Sequence, residues 1–484
     1  MRRAGVLLPV FSLPSEHGIG SFSKEAYDFV DILAESGQKL WQILPIGPVA
    51  YGDSPYQSPS TFAGNFMYID LEKLIEEKLL TKKECKDKDF GDDPSRVNYD
   101  KVREGKRALL ELAFSRALPE QDRDYVDFVT STDWLEDYAT YCALKEHFSG
   151  KPWYEWDEAE IAGGGEDIER SKRFHKYVQY LFMKQWMALK QYANDKGVLI
   201  VGDLPIYVAY DSADCFANRE LFQLNEDNTP KAVAGCPPDA FCPDGQHWGN
   251  PLYDWDRHRE TGYGWWIRRI DHCRKMFDIV RIDHFRGFDS YYSIPYGAAS
   301  AAEGHWEQGP GLPFFKMLSE WFGEVNIIAE DLGYLTESVV ALVRDTGYPG
   351  MRILQFAFDE SHESTYLPHK YDRNCVVYTG THDNNTTLGW YEELNDTDRE
   401  YVADYINTDS GKPKKVVENL VRLAMSSVAD TAIVPLQDYL LLDAGGRTNV
   451  PGTVGGNWSF RVTKAQLKKF NSVKVKFITE LYGR

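Results

Sequence analysis

The chain has 484 residues, with 54 Lys and Arg against 74 Asp and Glu, a formal net charge of -20. That balance excludes the basic footprint of a nucleic-acid binder and disfavours phosphate-rich or anionic-lipid partners. Apolar residues at 43% and charged residues at 26% describe a globular chain long enough to bury a large core. Seven cysteines, an odd number without framework spacing, point to a reducing, cytoplasmic setting. No stretch reaches membrane-spanning length, and the N-terminal GVLLPV run, broken at Pro9, reads as a buried strand rather than a signal segment.

Taken in chain order, eight short apolar runs read as strands. They are Gly5–Val10, Leu40–Leu44, Val198–Val201, Ile279–Ile282, Val325–Ala329, Met351–Phe356, Cys375–Tyr378 and Thr431–Val434. Each is mostly continuous rather than alternating, as strands covered on both faces are. Helical patterns fall between them at Lys24–Ser36, Arg170–Lys196, Gly264–Phe277, Pro313–Phe322, Thr336–Thr346 and Pro413–Val428. Regular alternation of this kind implies parallel βαβ units, and eight strands predict a (β/α)8 TIM barrel as the single catalytic domain over residues 1–484. Two connections are far longer than a barrel needs. Residues 51–196 are expected to form an inserted, mainly helical subdomain. Residues 204–262, rich in Pro, Gly, Asn and aromatics, are expected to form an inserted loop region over the barrel mouth. Only about 50 residues follow the last strand, too few for a C-terminal β-sandwich domain.

Four of the strand runs lead into a carboxylate: Asp203 in GDLP, Asp283 in VRIDHFRG, Glu330 in IIAEDLG and Asp383 in TGTHDNNT. The C-terminal strand ends of a parallel barrel share one face, so acids far apart in sequence converge there. One acid at a strand end is usually a cap or an ion-pair partner. Several at once suit glycosidic bond cleavage, which needs an attacking carboxylate and a protonated carboxyl to release the leaving oxygen. Arg281, two residues before Asp283, shares its face of the strand and is expected to keep Asp283 ionised. His284 and His382 each adjoin an acid, but no HExxH or comparable metal cluster accompanies them, and no GxSxG elbow, Walker loop or dinucleotide fingerprint occurs. No metal or cofactor is therefore expected. Aromatic residues make up 14% of the chain. Tyr51, Tyr56, Phe62, Phe241, Trp248, Tyr253 and Trp255 gather in the segments expected at the mouth, where rings can pack on the flat CH faces of hexoses.

The motifs GVLLPVFSLPSEHGIG, WQILPIGP, GDSPYQSPSTFAGN, GDLPIYVAYDSAD, PPDAFCPDGQHWGNPLYDW, VRIDHFRGF, IIAEDLG, THDNNTTLGW and GRTNVPGT occur in this order. Together they make the chain resemble the amylomaltase, or disproportionating-enzyme, family, the 4-α-glucanotransferases of the α-amylase clan. The resemblance implies a retaining transfer of an α-1,4-glucan segment to the 4-hydroxyl of an acceptor glucan or glucose, through a covalent glucosyl-enzyme. It implies Asp283 as nucleophile, Glu330 as general acid/base and Asp383 as transition-state stabiliser, with Arg281 and His382 as their partners. It further implies substrate contacts from Asp203, Tyr56 and Ser54. Trp248, Asp239 and Gln246 fall in a loop over the acceptor sites, Asn449 lies near the sugar subsites, and Tyr51 belongs to a more remote glucan position. Cys242 and Pro243 stand in the variable part of that loop. The expected partners are maltooligosaccharides and α-1,4-glucans, with no nucleic acid and no membrane, and a monomer is expected rather than a homodimer.

Overall fold

The computed structural model describes residues 2–162, 165–238, 244–333, 335–359 and 362–484. Its strands in chain order begin with β1 (Arg3–Leu7), β2 (Leu40–Gln42), β3 (Leu199–Leu204), β4 (Ala232–Cys236), β5 (Gln246–Pro251) and β6 (Ile279–Ile282). They continue with β7 (Ser290–Pro295), β8 (His305–Gln308), β9 (Ile327–Ala329), β10 (Gly350–Ile353), β11 (Cys375–Tyr378) and β12 (Thr431–Pro435). Eight of them close a barrel in the order β1-β12-β11-β10-β9-β6-β3-β2. All eight ladders are parallel, and β1 seals the ring by pairing with both β2 and β12. The chain is thus a (β/α)8 barrel, as the apolar runs predict.

Both faces of these strands are buried, which explains their unbroken hydrophobic runs. One cluster takes at least one side chain from every barrel strand: Leu7, Leu40, Val201, Ile279, Ile328, Met351 and Ile353, Val376 and Tyr378, and Ile433. The alternate residues, among them Val6, Trp41, Ile200, Val280 and Ile282, pack outward in the larger core. Beside Asp203, Gly202 is required by close approach: a Cβ there would stand 2.1 Å from the Phe277 ring. Phe277, at the end of the helix Gly264–Met276, is 6% exposed. Burial of a phenylalanine contributes roughly 1.5–3 kcal/mol, so this contact presses the helix end firmly against β3.

Four expected strands run too long, with Leu40–Leu44 and Val325–Ala329 shortened to β2 and β9. Pro9 cannot donate to a ladder, so β1 stops at Leu7 and the chain turns into a 3-10 turn at Val10–Ser12. The run at Met351–Phe356 splits into β10 and a 3-10 turn at Leu354–Phe356.

Between β2 and β3 lie several helices, of which Glu166–Asp195 is 30 residues long and carries Glu166, Asp167 and Glu169 in its first turn, where they suit the helix dipole. Its inner face grips the loop that follows β2. Gln179 accepts from Gly64 N at 2.7 Å and donates to Gly64 O at 2.9 Å. Gln185 does the same with Asp70 N at 2.7 Å and Asp70 O at 3.2 Å. These buried amide pairs hold the segment that carries Tyr56. The segment 204–262 is more ordered than a loop region: β4 and β5 belong to an antiparallel sheet of order β5-β4-β7-β8, completed by strands from the connection after β6. Beyond β12 no further strand occurs among the described residues; helices at Leu436–Tyr439, Lys464–Leu467 and Ser472–Leu481 finish the chain.

Candidate active site

The β3–β6 ladder sets the centre. Asp203 and Arg281 are register partners on its inward faces, two residues on from Val201 and Ile279, which become neighbours of the barrel core. Arg281 Nη1 donates to Asp203 Oδ1 at 2.7 Å and Oδ2 at 2.8 Å, and Nη2 lies 3.0 Å from Asp283 Oδ1. The Arg281 side chain is 3% exposed and that of Asp203 0%. Burial lowers the affinity of the guanidinium for its proton, but the carboxylates of Asp203 and Asp283 more than reverse this and hold its pKa well above the ordinary value.

Asp283 is drawn toward its charged form by Arg281, as the spacing implies, but Arg281 does not act on it alone. Burial pushes its carboxyl up to about 8, against the pull of Arg281 and with help from the charges of Asp203, Glu330 and Asp383. Arg281 is shared with Asp203, so it cannot compensate Asp283 alone. The side chain keeps 29% of its surface open, and water reaching it moderates that upward push.

Glu330 follows β9 directly. Its Oε2 accepts the backbone N–H of His284 at 2.6 Å and its Oε1 that of Leu332 at 2.8 Å. His284 can aim its N–H there because it adopts a left-handed backbone, φ 51° and ψ 48°, uncommon for a side chain with a Cβ. Burial raises the Glu330 carboxyl above its ordinary range, opposed by Arg281 and the two N–H groups and helped by Asp331.

On the opposite side of the ring, Asp438 fixes the loop after β11 by accepting from Thr379 Oγ1 at 2.5 Å, Thr387 N at 2.8 Å and Thr387 Oγ1 at 2.7 Å. That loop presents His382 and Asp383, with His382 Nε2 3.4 Å from Asp383 Oδ2. Tyr56 ties the two halves together: its hydroxyl donates to Asp203 Oδ2 at 2.7 Å and meets His382 Nε2 at 2.9 Å, while its ring stacks on the imidazole at 5.3 Å. Burial lowers the pKa of His382, so its ring is neutral at pH 7. Asn449 Nδ2 donates to Asp383 Oδ1 at 2.6 Å, and Arg447 Nη2 to Asp383 O at 2.8 Å.

Three barrel-end acids therefore surround one buried guanidinium, two of them with raised pKa values, and a fourth is tied to them through Tyr56 and His382. Such a set can place one carboxylate for attack and hold a proton on another. Volume alone would not find it: a surface cavity of about 390 Å³ lined by Asp137, Phe216 and Arg219 contains none of these acids.

The chain is also similar to known proteins along nearly its whole length. The pattern of glycoside hydrolase family 77, described as 4-alpha-glucanotransferase, matches residues 8–467. The chain belongs to the 4-alpha-glucanotransferase family. It is 47% identical over 494 aligned residues to a 4-alpha-glucanotransferase of Streptococcus pneumoniae serotype 4, covering 100% of this chain and 97% of that protein. It is 44% identical to one of Aquifex aeolicus, with 100% of both covered. Among solved structures, an amylomaltase from Streptococcus agalactiae in complex with acarbose superposes with a TM-score of 0.97 at 42% identity, covering 100% of both chains. As a member of this family the chain is an enzyme acting on α-glucans.

Of the other residues the family resemblance singles out, Trp248 lies on β5 with its indole edge-on to His284 at 4.9 Å, and its Nε1 donates to Gln246 Oε1 at 3.0 Å. Ser54 Oγ accepts from Tyr56 N at 3.2 Å and so shapes the turn that presents Tyr56. Tyr51 stands apart from the acids on the surface, 73% exposed. Asp239, Phe241, Cys242 and Pro243 lie outside the described residues. Three of the aromatics expected at the mouth are core instead: Phe62 packs on Trp265 and His272, and Tyr253 and Trp255 on Trp266. The hexose-stacking expectation fails for them because the two segments that carry them, after β2 and after β5, are both seated on the helix Gly264–Met276.

Sequence reasoning passed over Trp458, whose ring lies 5.6 Å from Tyr56 and 6.0 Å from His382, and Tyr207, 6.1 Å from Trp248. Their signals were present: Tyr207 stands four residues after Asp203, and Trp458 five after GRTNVPGT.

Proposed function

We propose that Asp283 attacks C1 of an α-1,4-linked glucose while Glu330 protonates the departing oxygen. The bond to the leaving glucan breaks and a covalent β-glucosyl-enzyme forms. Glu330, then a base, takes the proton of the 4-hydroxyl of an acceptor glucan or glucose, that oxygen displaces Asp283, and the anomeric configuration is retained. Asp383, held by Asn449, faces the flattening ring as positive charge develops. The proton of the Asp283–Glu330 pair is assigned to Glu330, because Asp283 is in direct contact with Arg281 at 3.0 Å, which favours its charged form, whereas burial and the charge of Asp331 favour the proton on Glu330 more than its two backbone N–H contacts oppose it.

The observation that carries this reading is Arg281 bridging buried Asp203 and partly open Asp283 beside Glu330. Transfer prevails over hydrolysis when an acceptor sugar is positioned and water is excluded. Trp248, Gln246, Asp239, Tyr56 and Ser54 are assigned to that positioning, and Tyr51 to a more distant part of the glucan. One chain supplies every described group of the site, so we take the monomer as the acting unit. The free thiols of Cys85, Cys142, Cys215, Cys273 and Cys375 suit a cytoplasmic enzyme.

The test is maltotriose as sole substrate. Glucose and longer maltodextrins appear with no net gain of reducing ends; a matching rise in reducing ends makes the enzyme a hydrolase and overturns the assignment.

A further inference from the structure

Tyr154, Tyr210 and Tyr296 come from three separate segments and meet at the surface. Tyr154 follows Trp153 in a 3-10 turn of the insertion, Tyr210 lies in the segment that leaves β3, and Tyr296 immediately follows β7. The Tyr154 and Tyr210 rings stack face to face, parallel within 5° with centroids 4.2 Å apart. Tyr296 is anchored beside them: its N–H donates to Lys231 O at 3.3 Å, three residues on from Asn228, whose carbonyl accepts the Tyr210 hydroxyl. Tyr154 is 37% and Tyr296 51% exposed, so their rings remain open to solvent.

The arrangement is held in advance. Trp153 Nε1 donates to Tyr210 O at 2.7 Å, the Tyr210 hydroxyl donates to Asn228 O at 2.6 Å, and Arg219 covers the Trp153 ring at 4.8 Å. Asp211, next in the chain, accepts from the Tyr141 hydroxyl at 2.9 Å and pairs with Lys145. The exposed Tyr154 ring, fixed this way, binds without the cost of ordering a loose side chain.

We propose that these three tyrosines form a contact for α-1,4-glucan outside the barrel mouth, in addition to the position assigned to Tyr51. The proposal rests on the glucanotransferase reading above. Tyrosine rings suit the CH faces of glucose residues, and their neutral hydroxyls can hydrogen-bond sugar hydroxyls. The chain's net charge of -20 disfavours polyanionic occupants and leaves a neutral polymer favoured. The position fits as well: Tyr207, which neighbours Trp248 and His284, precedes Tyr210 by three residues, at most about 11 Å of chain. A long glucan engaged at both points gains effective concentration at the acids; maltotriose, held in the cleft alone, gains none.

The experiment compares the wild type with Tyr154→Ala/Tyr296→Ala and with Tyr154→Trp, by native electrophoresis through gels containing soluble amylose and by kinetics on amylose and maltotriose. The double alanine variant is expected to lose most of its retardation and to raise KM for amylose about fivefold, while kcat/KM on maltotriose stays within about twofold. Tyr154→Trp, which keeps a flat face, is expected to keep the retardation. Equal retardation and equal amylose KM in wild type and double variant overturn the proposal. So do parallel losses on maltotriose, which place the effect in the cleft, and loss of retardation in the tryptophan variant. A wild type that fails to disproportionate maltotriose yet is retarded through these tyrosines sinks the glucanotransferase reading and leaves the surface contact standing.

Discussion

Asp203 and Arg281 are partners twice over, as register neighbours of β3 and β6 and through a guanidinium nitrogen that donates to both carboxylate oxygens at 2.7 and 2.8 Å. A fully buried carboxylate needs such compensation. The same guanidinium touches Asp283 at 3.0 Å, so Asp203 sets how much positive charge is left for Asp283.

Asp203→Asn therefore has two opposed outcomes. Removing one partner of a buried pair is expected to lower stability by about 2–3 kcal/mol, less than a lone buried charge would cost because Asp283 still faces Arg281. Urea unfolding measures this. Asp283 meanwhile gains the whole guanidinium and loses a like charge, so its carboxyl ionises at lower pH. The acid limb of the kcat profile is expected to move down by about one unit, alongside a reduced kcat. An acid limb that stays put uncouples Asp203 from Asp283.

The raised carboxyl of Asp283 also makes a statement about stability. Asp283 and Glu330 titrate as one pair, and with the Asp283 carboxyl raised to about 8 from an unfolded 3.8 the folded pair binds more protons between these values, so stability falls as pH rises. Asn has no charge to develop. Asp283→Asn is expected to match the wild type most closely near pH 4 and to exceed it by about 1–3 kcal/mol at pH 8, once solvent access and the lost Arg281 contact are discounted. Thermal denaturation at both pH values reads the difference, and a variant less stable at pH 8 than the wild type refutes it.

The barrel was legible because its strands are buried on both faces and so appear as continuous apolar runs; the acids were legible because strand ends share one rim. The sheet that carries Trp248 was not. Its strands are short and antiparallel, and β5 alternates half-buried and exposed residues over Gln246–Gly249 among Gly, Asn and Pro, a pattern that reads as loop. The left-handed turn at His284 leaves no mark in RIDHFRG, yet it aims the N–H at Glu330. The upward push on the Asp283 carboxyl leaves no mark in the sequence for a related reason. The spacing between Arg281 and Asp283 is local and visible, whereas the claim of Asp203 on the same guanidinium arises only from the β3–β6 register.

Glu330 supplies the test of proton placement. Burial holds its carboxyl above the ordinary range, and the protonated form is the one that releases the leaving chain. The wild-type rate therefore declines on the alkaline side as that proton is lost. Glu330→Gln keeps the shape and cannot transfer a proton. It is expected to lose about 10²–10⁴-fold in kcat on maltotriose and to show no alkaline limb over the range where the wild type declines. An unaltered profile assigns the acid to another group.

Trp248 separates cleavage from transfer. Its indole stands edge-on to His284 at 4.9 Å, and His284 is bonded through its backbone to Glu330 and follows Asp283 in the chain. The ring therefore reaches the edge of the reacting centre through His284. Trp248→Ala removes a large apolar surface there while leaving the Arg281 bridge and the Tyr56 link intact. Cleavage of maltotriose then continues, but the acceptor sugar loses a wall and water gains access. The ratio of transfer to hydrolysis, read as glucose released against net gain of reducing ends, is expected to fall about tenfold, with kcat for donor cleavage reduced far less. If kcat falls while that ratio holds, Trp248 serves the acids and not the acceptor, and the choice of sugar over water lies in another part of the loop.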